Sequence, residues 1–135
     1  MANISSFRDL RVWQQGVDLV EQVYRISQTF PKYEIYGLSS QMRRAAVSIP
    51  ANIAEGHIRK QTKAFLNHLS IALGSLAELQ TELEIALRLG YVTSQEAGVL
   101  DQQGSRPGPT ATLTSERFTQ SWIADAKSQI PNPKS

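Results

Sequence analysis

The sequence predicts an all-α fold, an antiparallel up-down four-helix bundle with a short or broken fourth helix. Three observations point there. Apolar residues recur at steps of three and four through three long segments, the mark of helices with a buried face. Short connectors bearing Pro31, Gly37 and Gly56 separate those segments. Then Gly104-Ser105-Arg106-Pro107-Gly108-Pro109 places two prolines and two glycines in six residues, which interrupts what would be the fourth helix. With 135 residues, 41% of them apolar, the chain fits one domain and can bury a real core.

The first helix is expected from near Leu10 to about Phe30, because Val12, Gly16, Leu19, Val23, Ile26 and Phe30 share one face. Trp13, Val17, Val20 and Tyr24 form a second, adjacent stripe. Two adjoining stripes make a wide apolar face, suited to a bundle interior or an oligomer contact. Phe30-Pro31 ends the helix, since a residue before proline is pushed out of the α region.

The connector Lys32-Tyr33-Glu34-Ile35-Tyr36-Gly37 leads to a second helix starting around Leu38-Ser39-Ser40, where serine can cap exposed backbone donors. Leu38, Met42, Ala45, Ile49 and Ile53 give its apolar line, and Gly56 reads as its stop. Pro50 falls inside it. Proline lacks an N–H and crowds the carbonyl of Ala46, at a cost of about 3 kcal/mol, so packing or a kink must compensate. Ser48 and Asn52 are candidate partners for the freed carbonyl.

Thr62 reads as the cap of the third helix, whose seam is Phe65, Leu69, Ala72, Leu76, Leu79, Leu83 and Ala86, with Gly90 as C-cap. Gly74 and Ser75 in its middle suggest a close helix crossing. Thr93-Ser94-Gln95-Glu96 has capping-box form and announces a fourth helix. The bundle core is therefore assigned to residues 1–103. Residues 104–135 form a divergent segment in which Phe118, Trp122 and Ala126 allow a short helix from about Thr114 to Gln129, with a largely disordered tail as the alternative expectation.

The chain has no cysteine, which excludes disulfides and thiolate metal sites. Met1 to Ser6 carry no basic region followed by an apolar core, and no apolar run is long enough to span a bilayer, so the expected compartment is the cytoplasm. The net charge of +2 is unevenly spread: residues 1–63 hold nine Lys or Arg against five Asp or Glu, whereas residues 64–100 hold one against four. Such asymmetry suits a basic face for a polyanion and is also common on ordinary soluble surfaces.

Arg43 and Arg44 at the start of the second helix, with Arg59, Lys60 and Lys63 at the turn into the third, are the candidate nucleic-acid-binding residues. Guanidinium groups and ammonium groups contact phosphate oxygens without reading sequence. The plainer reading is solvated charge and ion pairs with Glu55 or Glu34. Asn52 and Glu55 share a helical face and are read, with Pro50 and Gly56, as structural. Tyr33 and Tyr36 are open between base stacking and simple exposure. His57 and His68 lack metal-ligand spacing, no pair of titrating groups marks a catalytic site, and no phosphate-cradling glycine loop is present. No enzyme activity, metal or cofactor is expected.

The stretch from Gln41 to Gly56, with Phe7-Arg8-Asp9-Leu10-Arg11-Val12-Trp13 and Tyr33-Glu34-Ile35-Tyr36-Gly37-Leu38 before it and Ala72-Leu73-Gly74-Ser75-Leu76-Ala77-Glu78-Leu79 and Leu89-Gly90-Tyr91 after it, resembles a known family. It is similar to the small bacterial four-helix-bundle proteins encoded in intervening sequences of large-subunit ribosomal RNA genes, and also to accessory variability proteins of diversity-generating retroelements. The likeness covers roughly the first hundred residues and implies the same bundle, a homo-oligomer with a five-membered ring favoured, and in the retroelement branch a basic surface contacting RNA or DNA and a reverse transcriptase. Two functions follow as expectations: a non-enzymatic oligomer binding nucleic acid through its basic surface, or a structural or protein-interaction scaffold without such affinity.

Overall fold

The computed structural model describes residues 6–97 and 116–130. A 3₁₀ turn at Phe7–Asp9 leads into α1 (Arg11–Ser27), and a second at Lys32–Glu34 leads into α2 (Leu38–Ile58). The longest helix, α3 (Thr62–Arg88), spans about 40 Å at 1.5 Å per residue. One turn, α4 (Ser94–Ala97), follows, and α5 (Glu116–Ser128) returns along the bundle. Gln80 Nε2 donates to Thr119 Oγ1 at 2.9 Å and Arg11 pairs with Asp125 at 3.2 Å, so α5 runs from two-thirds of the way up α3 down to the start of α1. The described residues form an all-helical antiparallel bundle, as the periodicity predicts, with α5 as its short fourth member. The break at Gly104–Pro109 lies outside the described residues, as does the rest of 98–115.

One apolar cluster holds the bundle together, drawing Leu10, Val12 and Leu19 with Met42, Ile49 and Ile53, and Phe65, Leu76 and Leu83 with Trp122 and Ala126. Pro50 is buried within α2, opposite Gly16 of α1. A Cβ on Gly16 would stand 3.1 Å from Pro50 Cβ and 3.3 Å from its backbone nitrogen. The absent side chain lets the two backbones close over the ring, and this packing offsets the missing hydrogen bond. Asn52 directs its amide to Ser48, at 2.8 Å to the carbonyl and 3.0 Å to Oγ, rather than to the carbonyl of Ala46.

Three helix ends depart from the expected punctuation. Ser39 and Ser40 lie inside α2, and its first turn is capped by Glu34, whose Oε1 accepts from the Leu38 N–H at 3.1 Å. The same carboxylate accepts from Tyr91 Oη at 2.8 Å, tying the α1–α2 connector to the turn after α3. Gly56 is not a stop. It remains helical because α3 crosses there, where a Cβ would fall 2.8 Å from His68 Cβ and 3.3 Å from Phe65 Cα. Thr62 is the first residue of α3 rather than its cap, which is Gln61. By contrast Gly90, at φ +78, closes α3 with Tyr91 N–H on the Ala86 carbonyl and Gly90 N–H on Leu87, the paired bonds of a Schellman ending. Thr93 and Glu96 form the reciprocal capping box, at 2.8 and 3.0 Å.

With Gly56 held in the helix, the reversal after α2 falls to Lys60, at φ +57. A left-handed residue with a side chain costs about 1 kcal/mol more than glycine. Lys60→Gly is therefore expected to be about 1 kcal/mol more stable than Lys60→Ala in urea denaturation, a comparison in which both variants lose the same charge.

Candidate functional site

The five candidate cations do not meet at one place. Arg43 of α2 and Arg59, the residue just past its end, are sixteen positions apart, about 24 Å along the helix axis. Arg43 is committed within the fold: its Nε donates to Ser27 Oγ at 2.8 Å, and its guanidinium lies 4.8 Å from the Tyr24 ring centroid. Arg44 is exposed on the outer side of α2, and its charge acts on Glu82 of α3. Arg59 pairs with Glu55 at 3.3 Å, an exposed i,i+4 pair of small energetic weight. Lys60 and Lys63 are exposed at the opposite end of the bundle from Arg43 and Arg44.

The end with Arg59, Lys60 and Lys63 also receives Arg8, whose guanidinium sits 4.7 Å from the Phe7 ring. Half-buried His57 joins it from α2. Burial and the charge of Lys60 lower its pKa, with Asp9 opposing them. Arg8 is about fifty residues from this turn in sequence, so no local pattern points to it. What brings it here is the antiparallel pairing of α1 with α2.

A polar seam runs along the α2–α3 contact. Ser75 donates to Ser48 at 2.7 Å, Ser48 accepts from Asn52, and Asn52 Oδ1 meets His68 Nδ1 at 3.0 Å. Glu55 is 3.9 Å from His68 Nε2. Asn52 and Glu55 thus share a face and work between helices of one chain, and Gly56 makes room for His68. Further along α3, on the same flank, Glu82 is only 5% exposed, and its Oε1 has no hydrogen-bond partner. Its pKa is pushed up to about 7, first by burial and then by neighbouring Glu78, with Arg44 pulling the other way. The sequence signal for this flank is the seven-residue recurrence of His68, Ser75 and Glu82.

The outer side of α2 is apolar as well. Val47 and Ile58 are 42% and 65% exposed, with Ala51 exposed and Ala54 half-buried between them. Half-exposed Val17 and Tyr24 of α1 carry the second stripe of that helix. Tyr33 and Tyr36 stand out at the connector, at 77% and 93%. Among the described residues, no group of three or more acidic or histidine side chains is placed to hold a metal ion, and no helix is long and apolar enough to cross a membrane.

No curated protein matches the chain. A family model described as 23S rRNA-intervening sequence protein matches residues 8–106, a span that takes in α1 to α4 and stops short of α5. The match covers well over half of the sequence and includes the Pro50 helix with its flanking arginines, and on that ground the chain belongs to the 23S rRNA-intervening sequence protein family.

Proposed function

We propose that the protein is a non-enzymatic, self-associating helical scaffold, and that copies meet through the outer side of α2. The observation that carries this reading is that α2 is apolar on both sides. Leu38, Met42, Ala46, Ile49 and Ile53 face inward, while Val47, Ala51, Ala54 and Ile58 face outward. A helix with an apolar stripe on each side buries only one of them within the monomer, so the outer stripe gains by being covered. A closed ring of copies, five-membered by family likeness, would cover it on every subunit. The cytoplasm is the proposed compartment.

A second reading adds nucleic acid as a ligand, favoured by the end of the bundle where Arg8, Arg59, Lys60 and Lys63 gather. The division of the five original cations between two ends weighs against a single basic surface on the monomer, and a ring would set five such ends side by side. A reverse transcriptase as partner rests on the retroelement likeness alone.

One experiment separates these readings. Sedimentation velocity of the wild-type chain and of Val47→Glu/Ala51→Glu, with labelled single- and double-stranded RNA and DNA titrated in the same buffers over a salt series, reports assembly and binding together. The wild type is expected to sediment as an oligomer and the double variant as a monomer with unchanged helical circular dichroism. A monomeric wild type would sink the scaffold reading. Binding that weakens steeply with salt would establish the polyanion ligand as well.

A further inference from the structure

We propose that the outer side of α2 is covered by the outward face of α3 on the next copy, so that subunits join head to tail with Arg44 of one set against Glu78 of its neighbour. The proposal rests on copies meeting through the outer side of α2, as argued above, and names the surface they meet.

Ile71, Gly74, Glu78, Thr81 and Ile85 of α3, with Leu89 at its end, follow one another at steps of three and four. All are exposed, so they form one face turned away from the core. Ile71, Ile85 and Leu89 are as open to solvent as Val47 is on α2. Gly74 has the composition of a close helix crossing, yet among the described residues a Cβ built there meets nothing within 4 Å. Gly16 and Gly56, by contrast, each make room for a neighbouring helix. Glycine within a helix is less stable than alanine, and no contact inside the copy requires it at 74. A helix from outside can approach there as closely as α1 approaches Pro50.

Symmetry and charge select this face. In a ring of more than two copies each contact joins two different surfaces. The α1 stripe is not the second one, because Arg43 of α2 lies over the Tyr24 ring and places that stripe on the same edge as Val47. The α3 face is separate, with the Ser48–Ser75 and Asn52–His68 contacts between it and the outer side of α2. α2 and the turn after it carry Arg43, Arg44, Arg59, Lys60 and Lys63 against Glu55, whereas α3 after Lys63 carries Arg88 against Glu78, Glu82 and Glu84. Packing α2 on α2 sets like charges together, and packing α2 on α3 sets opposite charges together. Arg44 and Glu78 are both exposed, and neither is in an ion pair among the described residues. The seam also sets the register. Ser48 meets Ser75 and Asn52 meets His68 across antiparallel helices, so Arg44, one turn before Ser48, stands level with Glu78. A ring axis running along the bundle leaves heights unchanged and brings Arg44 level with Glu78 of the next copy. Val47 and Ala51 then lie against its Gly74 and Ile71.

The test compares three proteins by sedimentation velocity: the wild type, Val47→Glu/Ala51→Glu, which spoils the α2 side, and Gly74→Arg, which fills the open space on α3. Arginine favours the helix more than glycine does, so Gly74→Arg is expected to keep its helical circular dichroism. Each variant alone is expected to sediment as a monomer where the wild type is an oligomer. Mixed in equal amounts, the two are expected to form one-to-one dimers and nothing larger. The intact α3 face of the first meets the intact α2 side of the second, and the two spoiled surfaces stop further growth. Glu78→Arg is expected to weaken association on the order of tenfold by facing Arg44, and Arg44→Glu/Glu78→Arg to restore it. Gly74→Arg assembling like the wild type, as α2 packed on α2 predicts, overturns the α3 contact while leaving the scaffold reading intact, and so does a mixture that stays monomeric. Glu78→Arg associating like the wild type overturns the register. A monomeric wild type overturns the scaffold reading itself, and this contact with it.

Discussion

Trp122→Ala is expected to destabilise the whole bundle by about 3–5 kcal/mol, the range for removing a fully buried large aromatic side chain. Trp122 is 1% exposed and heads the largest side chains wholly inside the protein. It belongs to the same cluster as Leu19 and Leu76, so its loss opens a cavity in the shared core and not only under α5. The alternative is that α5 undocks on its own and the cost stops at the energy of docking. Urea denaturation followed by far-ultraviolet circular dichroism and by Trp13 fluorescence distinguishes the two, Trp13 being the one tryptophan left in the variant. Coincident curves displaced to lower urea mean that α5 folds as part of the cooperative unit. A separate low-urea phase with the main transition unmoved would show α5 to be an appendage. Trp122→Phe is expected to lose far less, since it keeps most of the apolar volume and removes an indole N–H that has no hydrogen-bond partner.

That test bears on the part of the chain where sequence reasoning had least purchase. Phe118, Trp122 and Ala126 announce a helix by spacing alone, yet spacing does not say which groove receives it. The three longer helices were legible because each repeats its apolar period over many turns, and the Gly90 ending and the Thr93–Glu96 box because their bonds close within a few residues. Punctuation that depends on a distant partner was misread. Gly56 has the composition of a stop, but the nearness of His68 and Phe65 makes it a crossing point. Ser39 and Ser40 have the composition of caps, but the 3₁₀ turn before them delivers Glu34 first.

The candidate site divides in the same way. Arg43 and Arg44 are adjacent in sequence and differ in fate, because 100° of helical rotation sends one to Ser27 and Tyr24 and leaves the other outward beside α3. Arg8 reaches the basic end through the pairing of α1 with α2, and Glu82 is buried where α3 packs into the bundle. Neither is marked by its neighbours in the chain. Apolar stripes are averages over many residues and survive small errors of register, whereas a charged side chain's role turns on a single contact.

Glu82 also yields the strongest pH dependence of stability expected here. In the unfolded chain its carboxyl titrates near 4.5, and in the folded protein burial and Glu78 push it up to about 7. The folded state therefore holds the proton more tightly than the unfolded state does. Below about pH 4.5 both states are protonated and Glu82 costs nothing. As pH rises from there to about 7 the unfolded chain releases its proton while the folded protein retains it, so stability falls across that window and levels off above it. The loss is on the order of 3 kcal/mol if the side chain stays buried, and less if it turns out to water. Glu82→Gln removes this titration while keeping the shape of the side chain. Its stability should match the wild type to within about 1 kcal/mol near pH 4.5 and exceed it by about 2–3 kcal/mol near pH 8, as read by urea denaturation at each pH. Every other titrating group is common to the two proteins, so the difference between their pH profiles isolates this carboxyl. A difference that stays constant from pH 4.5 to 8 would mean that Glu82 ionises in the folded protein as readily as in the unfolded chain, and that Arg44 fully offsets burial and Glu78.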